Sequence, residues 1–215
     1  MLRLITVLDQ EIGTWLDELA SAAPAPGGGA AAAMVAAVGA SLVEMVCNLT
    51  IGKPRYAEHE EVMRAALISA TELRLSAGQL AAEDAIAFGA VSQAYRLPKE
   101  SEQEKAARAK AIQGALVEAA DVPLRVAAVA AEVIGLADRI LAGANVNVIS
   151  DVAVAASAGR SALESAVINV EINLSAMSDA GARAALRADL DRLAPASAVA
   201  DRVVAAVRNR IGGSE

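Results

Sequence analysis

The run from Pro24 to Tyr56, PAPGGGAAAAMVAAVGASLVEMVCNLTIGKPRY, constrains the fold more than any other stretch of the chain. Pro24 and Pro26 disfavour helix just before them, whereas Gly27, Gly28 and Gly29 carry no side chain and admit positive φ. From about Ala30 to Ile51 the residues are apolar except at Ser41, Glu44, Asn48 and Thr50. That length is enough for a membrane span. Most of the run is alanine, however, and Glu44 and Asn48 fall one turn apart on a shared face. The stretch therefore reads as a buried central helix, whose small residues let neighbouring backbones approach closely, including those of a second copy of the chain.

The rest of the chain must pack around that helix. Hydrophobic residues make up 55% of the 215 but aromatic ones only 2%. A core built from Ala, Val, Leu and Ile calls for closely packed helices. We expect an all-α fold, a single-domain bundle over residues 1–215 with the Ala-rich helix at its centre, since this length buries a core without staples. The net charge of -7 and the lack of a basic stripe argue against nucleic acid as partner. The one cysteine, Cys47, lies inside the apolar helix, so neither a disulfide framework nor a cysteine metal cluster is available. MLRLITVLDQEIGTW lacks the apolar core and cleavage site of a signal peptide. A cytoplasmic protein without a membrane or nucleic-acid partner is expected.

Taken in order, Thr6 or Asp9 can cap a first helix carrying Leu8, Ile12, Trp15, Leu16 and Leu19, which ends before Pro24. After the central helix, Gly52 and Pro54 break the pattern, and Lys53 and Arg55 make a local positive spot. A long helix follows from about Glu58 to Tyr95, eased near Gly78. Its residues Leu73, Ala77, Leu80, Asp84, Phe88, Val91 and Tyr95 share one face. Ser101 with Glu104 has the spacing of a capping box. The helix after it meets Pro123, which should kink or interrupt it. Another helix begins at Ser150 or Asp151 and runs to about Ser175. Its face of Asp151, Ala155, Ala158, Ala162, Ser165, Asn169 and Asn173 is small and polar. Ser178 or Asp179 opens a further helix, a last one spans about Ser197 to Arg210, and GGSE is a frayed tail.

Several residues admit two readings. The Gly27 to Gly29 turn is either a tight corner or the mouth of an anion site at a helix N-terminus. Asp84, in the middle of an apolar stripe, is either a reactive carboxylate or one half of an ion pair or a neighbour's helix cap. Asp151 is either a cap or an acid–base group. His59, the sole histidine, sits in a polar run and reads as a surface residue. No metal ligand set and no Ser-His-Asp or Cys-His arrangement is visible.

Five segments in order, APAPGGG, MVCNLTIGKPRY, EDAIAFGAV with YRLPK, EKAARAKAIQGAL with DVPL, and NVNVISDVAVA, resemble the formiminotransferase-cyclodeaminase C-terminal domain family. That family also contains stand-alone methenyltetrahydrofolate cyclohydrolases. The resemblance covers roughly Trp15 to Met177. Ala25 and Ala30 stand where hydroxyl residues are expected, and Val152-Ala153 replaces the usual Ala-Gly after Ser-Asp.

The resemblance implies chemistry on a tetrahydrofolate, with no further cofactor. A cyclohydrolase adds water to the bridge of 5,10-methenyltetrahydrofolate and opens it to 10-formyltetrahydrofolate; a cyclodeaminase closes 5-formiminotetrahydrofolate to the methenyl form and releases ammonia. The NLTIG and NVISD segments look more like the cyclohydrolases, and nothing in the chain reads as a formiminotransferase domain, so hydrolysis is the expected reaction. Water activation, charge stabilisation and protonation of the leaving ring nitrogen fall by resemblance to Asp84, Asp151 and Lys53. Gly27, Gly28, Gly29, Asn48, Tyr56, Asn147 and Ser150 form the implied substrate-binding set. Gly27 to Gly29, Asn48 and Lys53 are expected to make one wall of the pocket, near the interface of a homodimer. A folate-binding protein without turnover, or a non-catalytic helical assembly module, is the alternative outside enzymology.

Overall fold

The computed structural model describes residues 7–213; Thr6, one of the two cap candidates, and Ser214 and Glu215 of the tail lie outside the described residues. Among the described residues there are helices and turns and no strand, so the fold is all-α. The helices are α1 (Ile12–Leu19), α2 (Gly28–Asn48), α3 (Glu60–Tyr95), α4 (Glu102–Ile140), α5 (Ile149–Ala176), α6 (Ala180–Leu193) and α7 (Pro195–Gly212). Short 3-10 turns cover Val7–Asp9, Pro54–His59 and Val146–Val148.

Helix α2 packs against α3, α4 and α5, and its alanines and glycines let them come close. Gly39 shows how close: a Cβ there would stand 3.2 Å from the carbonyl oxygen of Ala155 and 3.0 Å from a Val133 methyl. Gly159 on α5 does the same towards α4, where a Cβ would meet Ile134 at 2.8 Å and the Ala130 carbonyl at 3.2 Å. The small face of α5 is thus an inner packing face, with Ala155 and Ala162 fully buried. Only one side of α2 is covered. Val38 is 55% exposed and Leu49 41% exposed, so the expected all-round burial of the central helix holds for the inner side alone. A second apolar cluster, built on Ile112, Leu116, Val170, Leu174 and Leu190, ties α4, α5 and α6 together farther along the bundle.

Several boundaries differ from those expected, each for a local reason. Helix α1 begins only at Ile12, behind Glu11, whose side chain caps nothing, and the Val7–Asp9 turn is separate from it. Helix α2 starts at Gly28 rather than Ala30 and ends at Asn48 rather than Ile51. None of Gly27, Gly28 and Gly29 has positive φ; that conformation belongs to Gly52, at φ 76°, where the chain turns out of α2. Helix α3 runs unbroken through Gly78, whose missing side chain leaves room for Leu8. The stripe on α3 is buried at Leu73, Ala77 and Leu80, but Phe88 and Tyr95 emerge into solvent. Asp84 stands where that stripe leaves the core.

Pro123 neither ends nor interrupts α4, which is continuous from Glu102 to Ile140. Proline has no N–H to give the carbonyl four residues earlier, that of Ala119. The side-chain amide of Asn173 on α5 donates to this Ala119 oxygen at 3.3 Å, and to Asn169 O at 2.9 Å. A neighbouring helix thus fills the gap in the ladder. Ser101 and Glu104 form the expected capping box of α4, and Asp179 caps α6 through the N–H groups of Gly181 and Ala182.

Candidate functional site

Helix α2 begins without a side-chain cap of its own: Gly27 offers none. The acceptor comes instead from α3, where Asp84 Oδ2 receives the Ala30 N–H at 3.0 Å. The carboxylate lies directly over Gly29, and a Cβ on that glycine would overlap it. Here the absence of a side chain, rather than backbone freedom, explains the glycine. Asn169 of α5 closes the third side, its amide 3.6–3.7 Å from where a Cβ on Gly28 would be. Among the described residues no cation pairs with Asp84, so the ion-pair reading fails and the neighbour's-cap reading describes one oxygen. The other, Oδ1, accepts no hydrogen bond among the described residues. Burial pushes the carboxyl of Asp84 above its ordinary range, and the Ala30 N–H pulls the other way. A half-buried carboxylate with a spare oxygen, set beside the positive end of a long helix, can exchange a proton with a group placed above the glycines.

The other candidates gather at the opposite end of α2. Thr50 Oγ1 donates to Val46 O at 2.7 Å and accepts the Asn145 N–H at 3.1 Å. Asn145, only 3% exposed, donates its amide to Leu49 O at 2.8 Å and accepts from Tyr56 Oη at 3.3 Å and from the Asn147 N–H at 3.1 Å. The Val146 N–H donates to Tyr56 Oη at 3.1 Å. This buried network fastens the exit of α2 to the turn that starts α5. Around it Asn48, Lys53, Asn147 and Ser150 are exposed and Asp151 is half-buried. The turn before α5 is capped by Asn145, and α5 itself begins at Ile149, so neither Ser150 nor Asp151 initiates it. Asp151 sits in the first turn with no hydrogen-bond or ion-pair partner among the described residues, which removes the cap reading. The charges of Lys53 and Arg55 also lack a carboxylate partner among the described residues; Arg55 instead lies over the Tyr56 ring.

The two groups do not meet within one chain. Helix α2 has 21 residues, which at about 1.5 Å per residue puts the Gly27–Gly29 end and the Asn48 end about 30 Å apart. Helix α5 runs antiparallel to α2, since Asn169 is level with Gly28 and Ala155 with Gly39. Asp151, one turn beyond Ala155, is therefore separated from Asp84 by roughly 20 Å. The expected single wall of Gly27 to Gly29, Asn48 and Lys53 is not formed inside one protomer. The three glycines are joined instead by Asp84 and Asn169; at the other end only Tyr56 and Asn147 of the expected set bond to Asn145. Asn145 and the contact of Asn169 with Gly28 were missed in the sequence, because an asparagine shows no sign there of being buried.

Between the two ends runs the uncovered face of α2. An apolar cavity of about 580 Å³ lies under α1, lined by Trp15, Leu16, Met34, Val35 and Val38 among others. It is continued through Ser41 and Arg74 by a second hollow reaching Met45, Asn48 and Leu49. Glu44 projects beside it, held by Arg74 Nε at 2.6 Å and by Thr71 Oγ1 at 3.1 Å.

Comparison with known proteins places this geometry. A family model described as Formiminotransferase-cyclodeaminase matches residues 11–192. A methenyltetrahydrofolate cyclohydrolase of Methylorubrum extorquens is 45% identical over 204 residues, 94% of this chain and 98% of that one. The formimidoyltransferase-cyclodeaminase of Mus musculus is 33% identical over 81% of this chain, which spans 32% of the mouse protein. Among solved structures, formiminotetrahydrofolate cyclodeaminase from Thermotoga maritima superposes with a TM-score of 0.87 at 30% identity, covering 95% of this chain and 99% of that one.

Proposed function

The chain belongs to the formiminotransferase-cyclodeaminase family, and from that premise we propose that it hydrolyses 5,10-methenyltetrahydrofolate to 10-formyltetrahydrofolate in one-carbon metabolism. Hydrolysis is favoured over deamination because the Methylorubrum cyclohydrolase matches it end to end at 45% identity. The observation that carries the catalytic reading is Asp84, held over Gly29 with one oxygen on the Ala30 N–H and one oxygen free.

The substrate carries a positive amidinium carbon between two nitrogens. A carboxylate beside it both stabilises the cation and takes a proton from the attacking water, so a hydroxyl adds to the bridge carbon. The same group, now protonated, returns that proton to the ring nitrogen as its bond to the tetrahedral carbon breaks, leaving the formyl group on the other nitrogen and one proton for solvent. Burial raises this carboxyl above the ordinary aspartate range, so it holds a proton more readily than an exposed aspartate would. Lys53 provides charge for the folate carboxylates or a proton for the leaving nitrogen, and Asp151 is the second acid–base group. Asn48 and Asn147 offer amides for the pterin edge, with Gly27 to Gly29, Tyr56 and Ser150 completing the binding set.

We place the reaction in the cytoplasm, carried out by a homodimer that needs no cofactor besides its folate substrate. Incubating purified protein with 5,10-methenyltetrahydrofolate and following its near-ultraviolet absorbance tests the proposal. Bleaching faster than the buffer rate supports it. Release of ammonia from 5-formiminotetrahydrofolate, with no bleaching, transfers the chain to the deaminase reaction.

A further inference from the structure

We propose that Asn169 is the specificity-determining residue of the Asp84 site: its carboxamide pairs with the lactam edge of the pterin ring, the 4-oxo group and the neighbouring N3–H. The proposal rests on the folate reading above for the identity of the ligand.

Two side chains flank the first turn of α2. Asp84 comes from α3 and lies over Gly29; Asn169 comes from α5, with Oδ1 3.6 Å and Nδ2 3.7 Å from where a Cβ on Gly28 would stand. Gly29 is buried but Gly28 is exposed, so the amide stands at the open side of this turn and the carboxylate at its closed side. Because the two glycines are adjacent, one bicyclic ring can reach both groups, with the carboxylate at the bridge carbon and the amide at the far edge of the ring. Asn48 and Asn147 belong to the other end of α2.

The hydrogen bonds of Asn169 leave the atoms that such a ring needs. A carboxamide has two N–H donors and an oxygen with two lone pairs. Nδ2 donates one N–H to Ser165 O at 2.8 Å; the other N–H and the whole of Oδ1 have no partner among the described residues. The bond to Ser165 also fixes which way the amide is turned, so its oxygen and nitrogen cannot exchange places to suit a different ligand. A fixed acceptor beside a fixed donor is the complement of a lactam, which offers N–H beside C=O. The fold gives this side chain no other task. Asn173, one turn on, donates to the Ala119 carbonyl that Pro123 leaves open. The side chain of Asn169 bonds only to its own helix, at an interior position where asparagine is a poor helix former.

Ligand discrimination tests this. Dissociation constants are measured for tetrahydrofolate and for its 2,4-diamino counterpart, in which a 4-amino group replaces the 4-oxo group and N3 carries no proton. The proteins are wild type, Asn169→Ala and Asn169→Leu. Wild type should prefer the lactam ring by about tenfold or more, because the fixed Oδ1 faces a nitrogen lone pair in the diamino ring. Both variants should lose that preference, binding tetrahydrofolate about tenfold more weakly, and Asn169→Ala should melt no lower than wild type. Equal weakening of both ligands, wild-type affinities in the variants, or no preference in wild type would overturn the proposal. So would loss of the fold in both variants, which would make the amide structural. Turnover tests the hydrolase reading separately: a wild type that binds with the stated preference but leaves 5,10-methenyltetrahydrofolate unbleached loses that reading and keeps Asn169. A wild type that binds neither ring overturns both.

Discussion

Asp84 on α3 accepts the backbone N–H of Ala30 at 3.0 Å and so caps a helix other than its own. The bond serves two ends. It satisfies a donor at the start of α2, which Gly27 leaves without a side-chain cap, and it fixes one oxygen of the carboxylate so that the other is presented over Gly29.

Asp84→Asn keeps an oxygen that can accept from Ala30 but removes the exchangeable proton. Turnover of methenyltetrahydrofolate should fall by roughly 100-fold or more, while folate binding and the circular dichroism spectrum remain those of wild type. Near-wild-type turnover in the folded variant would take the proton transfer away from Asp84 and pass it to Asp151.

The same substitution changes how stability depends on pH. The carboxyl of folded Asp84 is raised by burial, so the folded state holds its proton more tightly than the unfolded chain does. Its contribution is complete below the unfolded value and is lost as pH rises through the raised folded value. Melting curves of wild type and Asp84→Asn should therefore diverge as pH rises from the ordinary aspartate range towards neutrality, with the variant gaining relative to wild type. A constant offset across that window would contradict the shift.

Gly29→Ala places a methyl where the Asp84 carboxylate lies. The short side chain must swing off the Ala30 N–H. We expect turnover per folded molecule to drop nearly as far as in Asp84→Asn, with a stability loss of about 1–3 kcal/mol from overpacking. Gly28→Ala, whose methyl would make ordinary contact with Asn169, should be far milder. Equal activity in the two variants would separate Gly29 from the site.

Asn173→Leu deletes the donor that Pro123 makes necessary. Left without a partner, the Ala119 carbonyl should cost about 1–3 kcal/mol. In a Pro123→Ala background the helix supplies its own N–H to Ala119, and the same Asn173→Leu change should cost clearly less. Chemical denaturation of the four proteins in this cycle measures the coupling, and simple additivity would rule out the bond as the reason that α4 continues.

Much of the architecture was legible because it depends on local chemistry. The Ser101–Glu104 box, the Asp179 cap and the Ala-rich inner face of α2 each follow from neighbouring residues in sequence. Asp84 stood out as a carboxylate in an apolar stripe, and the stripe does turn outward there. What failed depended on partners far along the chain. Pro123 reads as a break until Asn173, 50 residues later, is seen to repair it. Asn145 reads as loop until its four hydrogen bonds to the exit of α2, to Tyr56 and to Asn147 are counted. Gly27 and Asn48 look close because one helix joins them, yet that helix is also the rod that holds them apart.

Trp15 is the only tryptophan in the chain. It lines the cavity between α1 and α2, 7% exposed, and its indole N–H is buried without a hydrogen-bond partner among the described residues. Its fluorescence therefore comes from one place, and that place is the open side of the central helix. Whatever settles against Met34 and Val38 changes the surroundings of a single emitter, with no second indole to dilute the signal. The protein has, in effect, an optical gauge built into that one surface.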